Sequence, residues 1–264
     1  MLTKDYIMPL IGGRLGNNLF MIAHVLTKGL DYNKQVVIYR PHVIYHDNDY
    51  SKNIFRGLEF VDTYKDNRNY NLKIPSDDKP TFYFGYYQSE TCFEKYSEMI
   101  KTLFGPPIDF IQRIQQELPF IFNGDVTVIN VRRGDYLHSP NYHPVITPEY
   151  IYKAIEQIPN TKMFLIASDD IEWCKENIQL PNMFFLEGYK PEEQLWILSM
   201  CQNFVLSNSS FSWWAAYLCR NTDKIVIAPE TWFGPEFLGN YDNMYCKDWI
   251  KLPTYFNNGL ILPK

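Results

Sequence analysis

Several features that would classify this chain at once are missing from it. Its five cysteines are odd in number and include no C-x-x-C pair, which argues against a disulfide framework and against a zinc site. The histidines show no H-E-x-x-H or similar ligand spacing. No apolar stretch approaches the roughly 20 residues that a membrane helix needs. We therefore expect buried free thiols in a reducing compartment, no metal, and no integral membrane segment.

Positive charge is also scarce. Lys and Arg number 25 against 30 Asp and Glu, so the net charge is −5, whereas a general nucleic-acid binder is usually basic. We expect no nucleic-acid partner, and any anion site must be local. The first residues lack a charged segment followed by an apolar run, so no signal peptide is predicted. The expected location is cytoplasmic, either free or peripheral to a membrane.

The two halves of the chain differ in their pattern of apolar residues. The second half alternates short apolar runs with helical patterns, which predicts parallel β-α-β units. The first half is irregular and aromatic. With 264 residues and 46% hydrophobic content, the chain can form one large core or two small ones. We predict two domains, 1–120 and 121–264, with the tail 241–264 left unassigned or packing back on the first domain.

Two adjacent arginines end the most clearly predicted strand. Residues 126–131 form a short apolar run rich in β-branched residues, typical of a buried strand, and Arg132 and Arg133 follow it. Ligands of open α/β sheets bind outside the carboxyl ends of strands, and guanidinium groups donate paired hydrogen bonds to phosphate. The pair predicts a pyrophosphate or nucleotide site. The alternative for either arginine is a structural salt bridge to a carboxylate such as Asp135.

Three further clusters lie between a predicted strand and the next helix. The glycine-rich segment 12–18 permits close backbone approach, although a plain turn explains it equally well. Residues 168–170 are either helix caps or carboxylates that accept hydrogen bonds from a base or sugar. The serine-rich segment 207–212 is a candidate phosphate cradle. Because all four clusters follow strands, together they predict one nucleotide cleft.

These segments, in their order along the chain, resemble the motifs of glycosyltransferase family 11, the α-1,2-fucosyltransferases. Residues 12–20 (G-G-R-L-G-N-N-L-F) are similar to the family's G-G-x-L-G-N-Q-x-F, and 132–136 (R-R-G-D-Y) resemble its H-x-R-R-G-D-Y. Segments 85–89, 168–174 and 208–216 resemble further family motifs.

The resemblance implies an α/β fold of GT-B type, with two facing Rossmann-like domains. The domain over 1–120 would be on the acceptor side, and that over 121–264 would bind the GDP-sugar donor. The implied reaction transfers L-fucose from GDP-β-L-fucose to the 2-hydroxyl of a terminal galactose of a glycan, with inversion and an α-1,2 link. GDP-fucose is a co-substrate, and no cofactor or metal is implied.

The resemblance also implies roles for individual residues. Arg132 would bind the donor pyrophosphate and stabilise the leaving GDP, Arg133 would serve structure or the donor, and Asp169 would contact the guanosine. The other implied donor contacts are Asn17, Asn130, Ser209, Ser210 and Phe211.

Two positions depart from the family pattern. The family's histidine two places before the first arginine is Asn130 here, which puts donor affinity or selectivity in question. The glutamine usual after Asn17 is Asn18, one methylene shorter.

The base for the attacking hydroxyl is the least determined part of the site. Asp135, His138 and His143 follow the arginines and are candidates, of which Asp135 and His143 join Arg132 in the predicted catalytic set. The alternatives are that Asp135 only orients an arginine, that the histidines lie in a solvated loop, or that an oxocarbenium-like path needs little base.

Two other functions compete with this interpretation. One is a glycosyltransferase that uses a different nucleotide-sugar donor. The other is a nucleotide- or glycan-binding protein without turnover. A dehydrogenase is disfavoured because the first turn lacks the required glycine fingerprint.

Overall fold

The computed structural model describes residues 6–46, 48–62 and 81–254. The chain divides into two compact units, Met1–Gly105 and Pro106–Lys264. This division falls earlier than the boundary expected between residues 120 and 121. The helix that follows Pro107 therefore belongs to the second unit, where its Phe110 packs against Trp196 with ring centroids 5.0 Å apart.

The first unit is built on a small parallel sheet. The strands of the first unit are β1 (Tyr6–Pro9), β2 (Gln35–Val36), β3 (Ile38–Tyr39), β4 (Ile44–Tyr45), β5 (Asn48–Asp49), β6 (Phe60–Val61) and β7 (Thr81–Tyr83). Its helices are α1 (Leu15–Tyr32) and α2 (Ser97–Phe104). β1 lies between β2 and β7, parallel to both, while β3 pairs with β6 and β4 with β5.

The long helix α1 begins directly after the glycine-rich loop and forms much of the first unit's core. Leu19, Ile22 and Ala23 recur at helical spacing and are fully buried. The helix ends at Asn33, whose φ of 51° is left-handed, a conformation that asparagine tolerates better than most residues. The sequence predicted a helix after the glycine-rich segment, and the structure confirms it.

The second unit contains a larger, entirely parallel sheet. Its helices are α3 (Ile108–Glu117), α4 (Pro148–Ile155), α5 (Ile171–Asn177), α6 (Pro191–Ser199) and α7 (Ser210–Leu218). Its strands are β8 (Val126–Val131), β9 (Met163–Ser168), β10 (Met183–Phe185), β11 (Asn203–Val205), β12 (Val226–Pro229) and β13 (Ile250–Leu252). The strand order is β10-β9-β8-β11-β12-β13. The predicted strand before the arginines has the bounds of β8, and every residue of it is buried because helices cover this sheet.

Two local details correct or extend the sequence interpretation. Among residues 168–170, the cap of α5 is Asp170, whose carboxylate accepts from the Trp173 amide. Within the tail left unassigned, β13 pairs with β12, so this stretch belongs to the sheet of the second unit. This strand is only three residues long and its first two residues are exposed, which hides a strand pattern. Residues 255–264 of the tail lie outside the described residues.

The aromatic pair in α7 lies in the core. Trp213 and Trp214 are fully buried, and the ring of Tyr217 stacks on Trp213 at 4.8 Å. Large buried rings in the first turns of α7 leave its serine-rich N-terminus closely held against the sheet. Among the described residues, no helix has both the length and the apolarity needed to cross a bilayer.

Candidate functional site

The predicted site residues of the second unit meet at the carboxyl edge of its sheet. β8 lies between β9 and β11, with Val131 paired to Ser168 across the first of these ladders. The segments that follow the three strands therefore emerge side by side. A direct link joins two of them, since the Tyr136 hydroxyl donates to the carbonyl of Asn208 at 3.2 Å.

Arg132 is held between two carboxylates. Its Nη1 lies 2.7 Å from Asp169 Oδ2, and its Nη2 pairs with Asp135. Its guanidinium also lies 5.1 Å from the ring centre of Tyr136. The side chain is only 15% exposed. The salt bridge to Asp135 weighed as the structural alternative is thus present, but a guanidinium has five N–H donors, so the two ion pairs fix Arg132 without exhausting it.

Arg133 is fixed by a different pair of neighbours. Its Nε lies 3.0 Å from Asp170 Oδ2, and its guanidinium carbon lies 3.9 Å from the ring centre of Trp173. Both partners belong to the start of α5. A guanidinium that is stacked on an indole and paired with a capping carboxylate is rigid. These contacts favour a structural role for Arg133, with donor contact as the alternative.

Asp169 joins the two arginines. Besides pairing with Arg132, its Oδ1 accepts a hydrogen bond of 2.9 Å from the backbone amide of Arg133. The next residue, Gly134, approaches so closely that a Cβ there would collide with Asp169 Oδ2. A glycine is therefore required at 134 for reasons of space. Asp169 organises the arginine loop, and its predicted contact with guanosine stays a prediction.

The serine-rich segment forms the start of α7. Ser209 is the N-cap, and its hydroxyl accepts from the Phe211 amide at 3.3 Å. Ser210 and Phe211 are the first two helical residues. The first turn of a helix presents amide groups that lack intrahelical acceptors and a partial positive charge, which together favour phosphate. The predicted cradle therefore lies beside the arginine loop.

Asn130 is buried between neighbouring strands. Its Nδ2 donates to the carbonyl of Ala167 at 3.4 Å, and its Oδ1 accepts from the Ser207 hydroxyl at 3.3 Å. The side chain thus cross-links β8 to the ends of β9 and β11. This contact set gives the amide a structural function at the position where the family pattern has histidine, and its donor contact stays a prediction.

His143 lies among aromatic rings near Arg132. Its ring stacks on Tyr136 with centroids 4.3 Å apart and lies 5.7 Å from the ring of Phe233. Burial lowers the pKa of His143 below its usual 6.5, Asp135 opposes this shift, and Arg132 adds to it. Its Nδ1 is buried and has no hydrogen-bond partner within the described ranges. A neutral imidazole of this kind can accept a proton.

Asn17 belongs to the first unit, at the start of α1. Its Oδ1 accepts a hydrogen bond of 2.8 Å from Gln88 Nε2. A Cβ on Gly13, whose φ is +80°, would meet the Asn17 side chain. The glycine loop and the segment after β7 are therefore in contact at the carboxyl edge of the first unit's sheet.

Sequence reasoning gave no role to Trp173, Tyr136 or Phe233. Trp173 follows the capping Asp170 by three residues, which places both in the first turn of α5. That spacing was a usable signal, because one helical turn can present a carboxylate and a ring to the same arginine. Phe233 follows β12, and no local pattern links it to residue 143. Within the described residues, no group of three or more His, Cys, Asp or Glu side chains could hold a metal ion.

Comparison with known proteins supports the family resemblance that the motifs at this edge carry. The sequence model of glycosyl transferase family 11 matches residues 12–253. The chain belongs to glycosyltransferase family 11. The match includes both the glycine-rich loop of the first unit and the arginine and serine segments of the second, which confirms the resemblance seen in the sequence.

Three relatives show how far the likeness extends. An alpha-1,2-colitosyltransferase of Escherichia coli is 30% identical over 213 residues, covering 76% of this chain and 72% of the relative. The Escherichia coli O-antigen biosynthesis glycosyltransferase WbnK is 28% identical over 183 residues, covering 64% and 60%. Galactoside alpha-(1,2)-fucosyltransferase 2 of Rattus norvegicus is 27% identical over 155 residues, covering 54% and 42%. The matched part thus spans less than two thirds of two of these relatives.

A solved structure supports the fold. The crystal structure of fucosyltransferase NodZ from Bradyrhizobium aligns with a TM-score of 0.55 and 14% sequence identity, covering 84% of this chain and 96% of that chain. At this identity the likeness speaks for the fold alone. Together with the parallel sheet in each unit, it confirms the expected α/β fold of GT-B type.

Proposed function

We propose that this protein is an inverting α-1,2-fucosyltransferase, which moves L-fucose from GDP-β-L-fucose to the 2-hydroxyl of a terminal galactose of a glycan. The proposal includes a cytoplasmic location, free or peripheral to a membrane. All five cysteines lie in the described part of the chain and none forms a disulfide, which supports a reducing compartment.

One observation carries the proposal: two restrained arginines and a capped helix N-terminus share one sheet edge. Arg132 lies over the Tyr136 ring, and the Tyr136 hydroxyl binds the carbonyl of Asn208, which directly precedes the cap of α7. A diphosphate placed between Arg132 and α7 would contact a guanidinium on one side and backbone amides on the other. Both are groups that bind phosphate strongly.

The reaction needs such groups most as the donor breaks. The acceptor oxygen attacks the anomeric carbon of fucose, the bond to the pyrophosphate breaks, and GDP leaves with the bonding electrons. Negative charge therefore builds on the phosphate oxygens. Donors that are already in place stabilise this charge more in the transition state than in the ground state, which accelerates the reaction. The ion pairs of Arg132 serve this purpose by fixing it before the donor arrives.

His143 is the better supported of the two candidate bases. Its lowered pKa keeps the imidazole neutral at pH 7, and its Nδ1 has no partner within the described residues. Asp135 is already engaged by Arg132, and that contact supports the orienting role considered for it. We propose that His143 takes the proton of the attacking hydroxyl and that Asp135 holds Arg132.

A second candidate differs only in the sugar transferred. The alpha-1,2-colitosyltransferase of Escherichia coli is 30% identical to this chain. That relative favours a nucleotide-linked colitose as the competing donor. The phosphate-binding groups proposed above suit either donor, since they contact the diphosphate and not the sugar.

Product analysis distinguishes these candidates. The protein is incubated with GDP-fucose, with GDP-colitose and with GDP-mannose, each with a panel of β-galactosides. NMR that is sensitive to linkage then identifies the product. We expect an α-1,2-fucosyl galactoside. An α-1,2-colitosyl product formed in preference would move the assignment to the second candidate.

Calorimetry with GDP alone separates binding from turnover. We expect GDP to bind the wild-type protein and to bind Arg132→Ala much more weakly. Arg113→Ala is the matched control, since Arg113 lies in the same unit and also pairs with two carboxylates, Glu117 and Glu193. GDP binding without product from any donor and acceptor would favour the non-catalytic alternative. No heat with GDP would reject the proposal.

A further inference from the structure

The segment that follows β7 exposes two aromatic rings. Phe84 is 83% exposed and Tyr86 is 53% exposed. Exposed rings clustered in one turn are a candidate ligand-binding surface, whereas an exposed ring on its own, such as Tyr32, needs no explanation. We call residues 84–88 the aromatic turn. It lies at the carboxyl edge of the first unit's sheet, beside the glycine loop, because the Leu10 amide donates to the Tyr83 carbonyl at 2.9 Å.

The aromatic turn is held in a strained backbone conformation. Gly85 has a φ of +144°, and Tyr87 has a φ of 50°, which is a genuine outlier for a bulky residue. A Cβ on Gly85 would lie 3.1 Å from the Tyr87 ring. Strain of this kind persists only where the surroundings impose it, and such sites concentrate where ligands bind.

Specific contacts impose the conformation. The Tyr87 hydroxyl donates to the Phe84 carbonyl at 2.9 Å, which closes the turn on itself. The Tyr87 ring stacks on His24 of α1 with centroids 3.8 Å apart and planes 14° apart. His24 is held in turn, with its Nδ1 3.3 Å from the Cys92 carbonyl. Tyr87 therefore faces the unit, while the rings on either side of Gly85 face solvent.

The chemistry of the turn suits a neutral sugar. Residues 84–88 carry no charge, and the amide of Gln88 is bonded to that of Asn17 at 2.8 Å. A nucleoside diphosphate would need cations, which this turn lacks. A pyranose presents an apolar face of C–H groups and a rim of hydroxyls. Exposed rings with amides beside them match both parts.

We propose that Phe84 and Tyr86 bind the terminal galactose ring of the acceptor glycan by stacking, with Gln88 as a hydrogen-bonding partner of its hydroxyls. Tyr87 and His24 are positioning residues that hold the turn. The proposal rests on the glycosyl transfer proposed above and names the surface that would recognise the sugar accepting the transferred group.

The test compares acceptor and donor parameters in matched variants. Removing one stacked ring is expected to raise the acceptor KM about tenfold, which corresponds to roughly 1.4 kcal/mol. Phe84→Ala and Tyr86→Ala should each show this rise, with donor KM and GDP affinity unchanged. Tyr86→Phe should retain most of the acceptor affinity. Tyr32→Ala is the control, because Tyr32 is 59% exposed in the same unit at the far end of α1.

Tyr87→Phe tests the positioning role. It removes the hydroxyl that closes the turn and keeps the ring, so it should raise the acceptor KM several-fold while kcat stays near the wild-type value. A variant that merely lost stability would lower active protein without changing KM. A lower kcat together with an unchanged acceptor KM would overturn the positioning role of Tyr87.

Binding measured without turnover separates this proposal from the proposed function. Saturation-transfer NMR with lactose, in the presence of GDP, should show the galactose C–H face in contact with wild-type protein, and the contact should be lost in the Phe84→Ala, Tyr86→Ala double variant. Persistence of the contact in that variant, or its absence in the wild type while GDP still binds, overturns the aromatic-turn proposal alone. Failure of GDP to bind overturns the proposed function instead.

Discussion

The carboxyl edges of the two sheets carry opposite chemistry. In the second unit the edge is charged, with Arg132 and Arg133 paired to Asp135, Asp169 and Asp170. In the first unit the aromatic turn at the edge is uncharged and strained, and the glycine loop beside it carries a single arginine, Arg14. Both are places where parallel strands end and loops are free to carry function. We propose that the same edge architecture serves an anion in one unit and a neutral sugar in the other.

The two edges also fix their side chains by different means. The charged edge relies on ion pairs and on one close approach, that of Gly134 to Asp169. The aromatic turn relies on stacking and on a backbone outlier at Tyr87. Substitutions that remove a charge weaken the ion pairs. Substitutions that remove ring area or change the backbone conformation weaken the stacking. The two edges can therefore be perturbed independently.

The largest expected effect is at the charged edge. Arg132→Ala should lower kcat by about 10²–10³, because removing one donor of this type costs roughly 2.7–4 kcal/mol of transition-state stabilisation. Arg132→Lys should recover part of the loss, since it retains the charge but loses the paired geometry. Steady-state kinetics with GDP-fucose and a β-galactoside provide the measurement.

The effect of Arg132→Ala is interpreted by comparison with Phe84→Ala, a variant of the aromatic turn. Phe84→Ala should leave kcat and the donor KM near wild type. If Arg132→Ala turned over at close to the wild-type rate, the charged edge would lose its proposed role. Circular dichroism on each variant shows that the fold is retained.

A smaller effect is expected from adding one methyl group to a glycine at each edge. Gly134→Ala would drive a Cβ into Asp169, displacing the arginine loop, and should lower kcat about tenfold to 10²-fold. Gly85→Ala would strain the turn against the Tyr87 ring and should raise the acceptor KM instead. The measurement is the separate determination of kcat and of both KM values.

Gly57→Ala is the control for these two changes, because its Cβ would meet only the flexible end of Leu103, at 2.9 Å. If Gly134→Ala and Gly85→Ala changed kcat and the acceptor KM in the same way, the separate roles proposed for the two edges would be contradicted.

The last two predictions concern the pH dependence that arises from two histidines, His143 and His24, whose pKa values are lowered by burial. If His143 is the base, the acid limb of kcat/KM should have its midpoint below pH 6.5, since protonation of the imidazole ends its function. The pH profile of the wild type and of His143→Gln provides the measurement. A limb that persists unchanged in the variant would exclude His143 as the base.

His24 should affect stability instead. Burial is the main cause of its lowered pKa, the Cys92 carbonyl opposes the shift, and Lys28 adds to it. Because the folded pKa lies below 6.5, the neutral ring's contribution is fully present above pH 6.5 and is lost as pH falls through the folded pKa. Urea unfolding at several pH values should show this loss, and His24→Phe should flatten it. An equal pH slope in the variant would rule out His24 as its source.

Local sequence patterns predicted the regular elements well where they were long or strongly apolar. The strand before Arg132 and the helix at 15–32 are clear examples. The apolar run 36–39 is divided between two short strands, β2 and β3, in different sheets. The strand Ile250–Leu252 went unseen because half-exposed residues without alternation leave little trace in sequence.

At the candidate site, the sequence predicted which segments come together but not which contacts hold them. Asp169 binds the backbone amide of Arg133, and Trp173 stacks on the Arg133 guanidinium. Both contacts depend on how β9 and α5 lie against β8. His143 was a candidate, but its stacking on Tyr136 and its closeness to Phe233 join segments far apart in the chain.

Sequence alone determined the alternation of strands and helices, the arginine pair at a strand end and the family motifs, because these depend on local periodicity and on residue type at fixed spacing. Only the tertiary structure decided which carboxylate holds which arginine, why residue 134 has no side chain, and which aromatic rings remain exposed. Those outcomes depend on distances between segments distant in sequence, and such distances are set by packing.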